Sequence, residues 1–179
     1  MASNDNVAKV YATVLFEIAK EENLQDEYYL SLQNANKLLK ENCNLSKALI
    51  SPVIDKQSKF KITDEIFIKE YEKYFVSFLK ILCDKNRINN LEEIQIQYKK
   101  INLEDKGLKE FDIISAFSLS EKIKEKIEQK LKEITKKDVI LNYKIEKEII
   151  GGVLIKSDSQ EYDMAIKTKL ENIKSIFKN

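Results

Sequence analysis

The sequence predicts a mainly α protein with a small α+β part: an N-terminal six-helix bundle followed by a small mixed β-α-β-β-α C-terminal domain. Two observations predict it. Apolar residues recur at helical spacing from residue 4 to about 106, and they alternate as in strands after Gly107. Because glycine commonly follows the last turn of a helix, Gly107 marks the expected boundary between domains 1–106 and 107–179.

An apolar stripe with alanines beside it predicts the first helix. The alanines give this helix a side that another helix can approach closely. The stripe consists of Val7, Val10, Tyr11, Val14, Leu15 and Ile18, and the alanines are Ala8, Ala12 and Ala19.

Local signals place the next helices. A second helix is expected over about 24–41, and a short third helix, capped by Asn44, ends at Ile50 before Pro52. Asp55 is a good cap for a fourth helix that carries Phe60, Ile62 and Ile66, and a sixth helix covers about 90–106.

The fifth helix, over 71–83, is apolar around more than half of its circumference. Its apolar residues span an arc of roughly 220°, whereas a surface helix needs little more than about 100°. Ser77 and Lys80 lie in the remaining gap of the circumference. Two interpretations stay open: the helix is central in its bundle, or a partner covers part of it. The arc consists of Tyr74, Phe75, Val76, Phe78, Leu79, Ile81, Leu82 and Cys83.

In the second domain, segments whose apolar residues recur every two positions alternate with segments in which they recur at the helical period of about 3.6 residues. Strands are predicted over 111–117, 139–145 and 153–156. Between the first two lies a helix that begins at a Ser118–Glu121 capping box or, as the alternative, at Ser120. A turn over 157–160 and a last helix from about Asp163 complete the domain.

Gly151 and Gly152 stand together between apolar residues. Such a pair indicates a tight bend before a strand, or a backbone cradle for a ligand. Since the spaced glycines and the following Lys-Ser/Thr of a phosphate loop are missing, backbone geometry is the expected role. The chain would bend here between Ile150 and Val153.

Composition argues against several classes of function. The net charge is +1, from 31 basic and 30 acidic residues, and bulk nucleic-acid binding needs a basic excess. Histidine, the commonest general base and zinc ligand, is absent. We expect no catalytic residue, cofactor, metal or small-molecule substrate, and therefore a binding or scaffold protein.

Cellular context is also suggested by composition. Cys43 and Cys83 lack CxxC spacing, so two buried thiols in a reducing compartment are expected rather than a disulfide. No apolar stretch is long enough for a membrane span, and the start lacks the pattern of a secretory signal.

Together these segments resemble the delta subunit of the F-type ATP synthase, the oligomycin-sensitivity-conferring protein of mitochondria. The opening helix is similar to the family's basic-x-Tyr-Ala-x-x-Leu-Phe-x-x-Ala pattern, here Lys9 to Ala19. One departure is Met164-Ala165, where the family often has Gly-Ser. The other matching segments are Leu49-Ile50-Ser51-Pro52, Phe78-Leu79-x-x-Leu82 with Arg87, Ser115-Ala116 with Leu119-Ser120-Glu121, and 149–170 with Gly151-Gly152.

The resemblance implies a non-catalytic stator subunit at the cytoplasmic face of the bacterial cell membrane. It would link the peripheral stalk to the α subunits and resist rotor torque during proton- or sodium-driven ATP synthesis. The C-terminal domain would bind the b subunits, and a groove between the first and fifth helices would receive the N-terminal helix of an α subunit. The candidate contacts are Ala8, Tyr11, Ala12, Leu15, Phe75, Phe78, Leu79 and Leu82, although the sequence does not fix which sides face the core.

Two other functions remain as alternatives. The many lysines suggest a soluble helical adaptor of a ribosome or nucleic-acid assembly, which the balancing acidic residues disfavour. A small-molecule enzyme that uses the glycine turn is disfavoured by the missing histidine and by the lack of a convergent polar set.

Overall fold

The chain folds into two compact units. The computed structural model describes residues 2–68, 70–146, 152–157 and 161–163. The units are Met1–Asn102 and Leu103–Asn179, and they are described separately. Within the described residues the chain is mainly helical with one small mixed sheet, as predicted. A domain boundary at Gly107 stays a prediction.

The first unit, called the helical unit, contains helices α1 to α5 and most of α6. Their positions follow the predicted apolar periodicity, and one 3₁₀ turn, Ile88–Asn90, precedes α6. The helices are α1 (Ala2–Glu22), α2 (Gln25–Glu41), α3 (Cys43–Ile50), α4 (Lys56–Phe67), α5 (Lys73–Asp84) and α6 (Leu91–Asp105).

Asp55 caps α4, as predicted. Its carboxylate accepts hydrogen bonds from the Ser58 backbone N–H at 3.0 Å and from the Ser58 hydroxyl at 2.6 Å. These bonds favour the charged form and lower the pKa of Asp55. The predicted Asn44 cap is wrong, because α3 already begins at Cys43. Asn42 precedes it, and its side chain donates to the Leu38 carbonyl at 3.0 Å.

Aromatic side chains fill much of the core of the helical unit, and their polar tips have partners. Tyr28 packs edge-to-face on Phe75, with ring centroids 6.0 Å apart. Its hydroxyl donates to the Glu22 carboxylate, and burial together with that carboxylate raises the pKa of Tyr28. The buried Tyr98 hydroxyl donates to the Gln25 carbonyl at 2.9 Å. Buried polar groups are thus satisfied where these rings meet.

On α4 the buried side chains are Lys59, Thr63 and Phe67, whereas Phe60, Ile62 and Ile66 are half-buried, and Ile62 and Ile66 pack against the core. One prediction about burial in this unit is wrong: Cys43 is exposed, because it is the first residue of α3 and its side chain lies outside the core. Cys83 is buried as expected, and burial raises the pKa of its thiol.

The second unit, called the sheet unit, contains a four-stranded mixed sheet in the order β2-β1-β3-β4. β1 and β2 are parallel, with Leu108 opposite Asp138, whereas β1–β3 and β3–β4 are antiparallel. Helix α7 makes the crossover between the parallel strands. The elements are β1 (Leu108–Ser115), α7 (Glu121–Thr135), β2 (Asp138–Ile145), β3 (Val153–Lys156) and β4 (Glu161–Asp163).

Two local predictions for this unit are corrected. Strand β4 occupies Glu161–Asp163, a short antiparallel strand that was not predicted between the turn at 157–160 and the last helix. Residues 158–160 of that predicted turn lie outside the described ones. The residues of that helix after Asp163 lie outside the described ones. The Ser118–Glu121 capping box is absent, because Glu121 is the first helical residue and Ser120 is the N-cap.

The described glycines serve the backbone. Gly107 has φ +68, and a side chain there would meet no atom within 4 Å, so conformation rather than space favours glycine. Gly152 has φ +87 directly before β3, consistent with the predicted bend. Gly151 and Ile150 lie outside the described residues.

Candidate partner-binding groove

A groove of about 630 Å³ lies between α1 and α5 of the helical unit. Its wall is mostly apolar, and it is open to solvent. The lining residues are Asn6, Val7, Val10, Tyr11, Val14, Ile18, Tyr74, Ser77, Phe78, Ile81 and Arg87.

Both helices carry apolar side chains on two sides, and this produces the groove. On α1 the alanine side packs into the core, with Ala8 and Ala12 fully buried. On α5 the core side is formed by Phe75 and Leu79. Because each stripe is wider than the core requires, the remaining apolar side chains are left on the outer surface.

Four lining side chains are strongly exposed for their type. Val10 is 63% exposed, Val14 49%, Tyr74 56% and Ile81 50%. Single exposed apolar residues are ordinary, but these four line one concave surface. A contiguous apolar hollow of this kind is typical of a site for another apolar surface.

The floor of the groove is an aromatic pair. Tyr11 packs edge-to-face on Phe78, with ring centroids 6.2 Å apart and an interplanar angle of 70°. Phe78 also contacts the buried ring of Phe75, at 6.4 Å between centroids. Phe78 is only 6% exposed, so it belongs both to the groove floor and to the core.

Arg87 is the one charged side chain of the lining. Its guanidinium lies over the Tyr11 ring, 5.6 Å from the centroid, and Nη1 donates to the Tyr11 hydroxyl at 3.4 Å. The backbone N–H of Arg87 donates to the Leu82 carbonyl at 2.7 Å. This bond fixes the backbone of Arg87 at the end of α5, although its side chain is exposed.

The structure brings only two of the eight predicted contact residues, Tyr11 and Phe78, into the groove lining. The other six are buried in the core of the helical unit, so within this chain they present no surface. Apolar periodicity shows that a helix has two apolar sides, but it does not show which one is internal. The six core residues are Ala8, Ala12, Leu15, Phe75, Leu79 and Leu82.

The residues that the sequence interpretation missed come from the other half of each stripe. On α5 the unusually wide arc was the signal that could have found Tyr74 and Ile81. On α1 the alanines pointed to the wrong side, because small residues suit close packing within the core as well as against a partner. The missed apolar lining residues are Val7, Val10, Val14, Ile18, Tyr74 and Ile81.

Two other features bear on the chemistry of the chain. Within the described ranges, no three or more Asp, Glu or Cys side chains lie together as metal ligands would. Across the same ranges, no helix has both the length and the apolar character that a membrane crossing requires.

Comparison with known sequences gives a consistent result. The profile of the ATP synthase delta (OSCP) subunit family matches residues 7–177. The delta subunit of Clostridioides difficile (strain 630) is 32% identical over 169 residues, which cover 94% of this chain and 93% of that protein. The chloroplastic delta subunit of Galdieria sulphuraria is 35% identical over 173 residues, covering 96% and 98%.

Solved structures share the fold. A chain of the Toxoplasma gondii mitochondrial ATP synthase hexamer superposes with a TM-score of 0.67 at 17% identity, covering 96% of this chain and 97% of that one. A chain from the Polytomella F-ATP synthase gives 0.52 at 21% identity over 55% of this chain and 88% of that one. The match over residues 7–177 and these relatives confirm the resemblance in the sequence: this chain belongs to the ATP synthase delta (OSCP) subunit family.

Proposed function

We propose that this protein is a non-catalytic stator subunit of the F-type ATP synthase, built on a six-helix N-terminal bundle. It ties the peripheral stalk to the top of the catalytic head and so resists the torque of the rotor. Family membership supports the assembly, and the α1/α5 groove is the observation that supports a binding role. The subunit acts by holding its partners and transfers no chemical group itself.

The occupant of the groove is the N-terminal amphipathic helix of an α subunit. The apolar α1 residues of the lining run from Val7 to Ile18. At 1.5 Å per residue this is about 16 Å, or three helical turns. An amphipathic helix of that length offers apolar anchors at i, i+3/i+4 and i+7, which is the usual pattern of helix-in-groove recognition.

A helix bound in this groove would cover apolar side chains as the interior of a protein does. Val10 and Ile81 are already positioned on rigid helices and half or more exposed, so little order has to be gained on binding. Covering apolar surface contributes roughly 25 cal/mol per Å² before the costs of association. A mainly apolar contact of this kind suits a stator, which needs slow dissociation.

The sheet unit is assigned to the b subunits of the peripheral stalk. Only the family resemblance supports this part. We place the protein at the cytoplasmic face of a bacterial cell membrane as part of the complex. The coupling ion is a proton or sodium.

Two measurements test the proposal. The full-length protein, titrated calorimetrically with a peptide copying the N-terminus of the α subunit of the same organism, should bind saturably with one site. Tagged protein added to detergent-solubilised membranes should retain the α and b subunits, identified by mass spectrometry. No saturable binding would reject the groove assignment. Retention of α without b would reject the assignment of the sheet unit.

A nucleic-acid adaptor would give a different result. A gel shift with mixed RNA and DNA at physiological salt should show no complex, since the net charge is +1. A stable shift under that condition would favour the adaptor instead.

A further inference from the structure

We infer that Arg87 is a specificity residue of the groove, and that the helix bound there carries an aspartate or glutamate that pairs with its guanidinium. This inference rests on the proposed helix-in-groove function and adds to it the chemistry of one contact. It names which kind of side chain the occupant must present and where along its length.

Besides its two tyrosines, the groove lining holds three polar side chains, and only one of them is charged. Ser77 donates its hydroxyl to the Lys73 carbonyl of its own helix at 2.9 Å. Asn6 is uncharged and exposed. Arg87 alone brings a full charge to a lining that is otherwise apolar and neutral.

The guanidinium of Arg87 keeps donors free for a ligand. An arginine has five N–H donors in a planar fork. Among residues 2–68, 70–146, 152–157 and 161–163, the Tyr11 hydroxyl is the single acceptor of its side-chain hydrogen bonds, and no carboxylate lies within ion-pair distance. The fork geometry matches a carboxylate in a two-point contact.

The side chain is also held in place before any partner arrives. Its backbone is fixed at both ends, since the N–H donates to Leu82 and the carbonyl accepts from the Asn90 N–H at 2.9 Å. The guanidinium carbon lies 5.6 Å from the Tyr11 ring centroid and Nη1 donates to the Tyr11 hydroxyl, so the charge is held at the groove wall. A bound helix would exclude water around Arg87 and Tyr11, and both the cation–π contact and an ion pair strengthen on desolvation.

The position of the Arg87 guanidinium fixes where the carboxylate belongs. The guanidinium lies over the Tyr11 ring, and Tyr11 stands between Val7 and Ile18 of the α1 lining. The occupant's acidic residue therefore lies where the bound helix passes Tyr11, beside its apolar stripe. A helix with the same apolar face but no acidic residue at that place would bind more weakly.

Calorimetry on the full-length protein tests this inference. The probes are the α-subunit N-terminal peptide and a set in which each Asp or Glu is changed singly to Asn or Gln. Arg87→Gln should bind the parent peptide about fivefold more weakly at low salt, as expected for a pair at the rim of an interface. The deficit should shrink between about 50 and 500 mM salt, because screening weakens the pair.

The pairing itself is shown by non-additivity. One neutralised peptide should bind wild type more weakly than the parent peptide does, by the same factor as the Arg87→Gln loss. The same peptide should bind Arg87→Gln as tightly as the parent peptide does. Lys85→Gln is the matched control, since it removes one exposed charge outside the groove lining and should bind like wild type. Arg87→Lys should recover only part of the loss, because lysine lacks the fork.

Several results would overturn the inference. One is an Arg87→Gln variant that binds the parent peptide as tightly as wild type does. Another is an Arg87→Gln variant that binds more weakly while every neutralised peptide binds wild type as the parent peptide does. That result would show that Arg87 acts by holding the turn after α5 or by packing on Tyr11. Failure of the proposed function looks different, because the wild type itself would then show no saturable binding, and both statements would fall.

Discussion

The helical unit and the sheet unit use their apolar side chains differently. In the described residues, the helical unit has a filled aromatic and aliphatic core and still leaves Val10, Tyr74 and Ile81 exposed along one groove. Among the described residues of the sheet unit, the buried apolar side chains centre on Phe111 and Ile113. Apolar side chains that stay exposed along one groove beside a filled core indicate a binding surface.

The exposed apolar residues of the sheet unit have a different setting. Tyr143 and Ile145 lie on β2, which is an edge of the sheet, and are 40% and 60% exposed. Lysines stand among them: Lys144 pairs with Asp112 at 2.7 Å, and Lys124 lies 5.2 Å from the Tyr143 ring centroid. Charged side chains on an edge strand oppose pairing with another strand. The β2 edge is therefore protected against pairing with another strand, whereas the groove is open to a partner.

The largest expected effect is on the core of the helical unit. Phe75 is fully buried and contacts the rings of Tyr28, Tyr71 and Phe78. Phe75→Ala should lower the free energy of unfolding by about 3–5 kcal/mol, because it leaves a cavity among these rings. Urea unfolding followed by circular dichroism measures this. A loss below about 1 kcal/mol would mean that the core is not filled as described.

A smaller effect is expected in the sheet unit at Gly152. Its φ of +87 is unfavourable for a β-branched residue, so Gly152→Val should cost on the order of 1–3 kcal/mol. Hydrogen exchange should show lost protection in β3 with α1 and α5 unchanged. Gly107→Ala is the milder control, since its φ is +68 and its Cβ meets no atom within 4 Å. Equal protection of β3 in Gly152→Val and wild type would contradict the proposed backbone role.

The smallest effect concerns pH and the start of α4. The pKa of Asp55 is lowered by the hydrogen bonds from Ser58, so its contribution is present above its unfolded pKa and is lost as the pH falls through the lower folded pKa. Asp55→Asn should remove this part of the pH dependence below about pH 4. Melting temperatures of both proteins between neutral and acidic pH measure it. Parallel curves for the two proteins would show that the cap does not contribute in this way.

Much of the fold follows from the sequence, because helices and strands have different apolar periods. The helices of the first unit, the mixed sheet and the cap at Asp55 are examples. The facing of α1 and α5 could not be obtained in this way. Each has two apolar sides, and only the packing of the whole unit decides that Ala8 is internal and Val10 external. Strand β4 was missed because three residues carry too little alternation to be recognised.

The candidate site shows the same limit more sharply. The sequence indicated the two helices between which the groove lies, and it gave Tyr11 and Phe78 of the lining. Six other candidates were core residues, since apolar character alone does not separate a core from an interface. Arg87 was noticed only as part of a family pattern, because its place over Tyr11 depends on the turn after α5.

The central claim is that the outer sides of α1 and α5 bind a helix while their inner sides hold the fold. The direct test compares full-length Val10→Asp with Ile96→Asp by calorimetric titration with the α-subunit N-terminal peptide. Both put an aspartate at an exposed helical position, 63% and 48% exposed, but only Val10 lines the groove. Val10→Asp should lose about 100-fold in affinity at an unchanged melting temperature, because it would bury a charge against the bound helix. Ile96→Asp should bind like wild type, and equal affinities of the two variants would contradict the account.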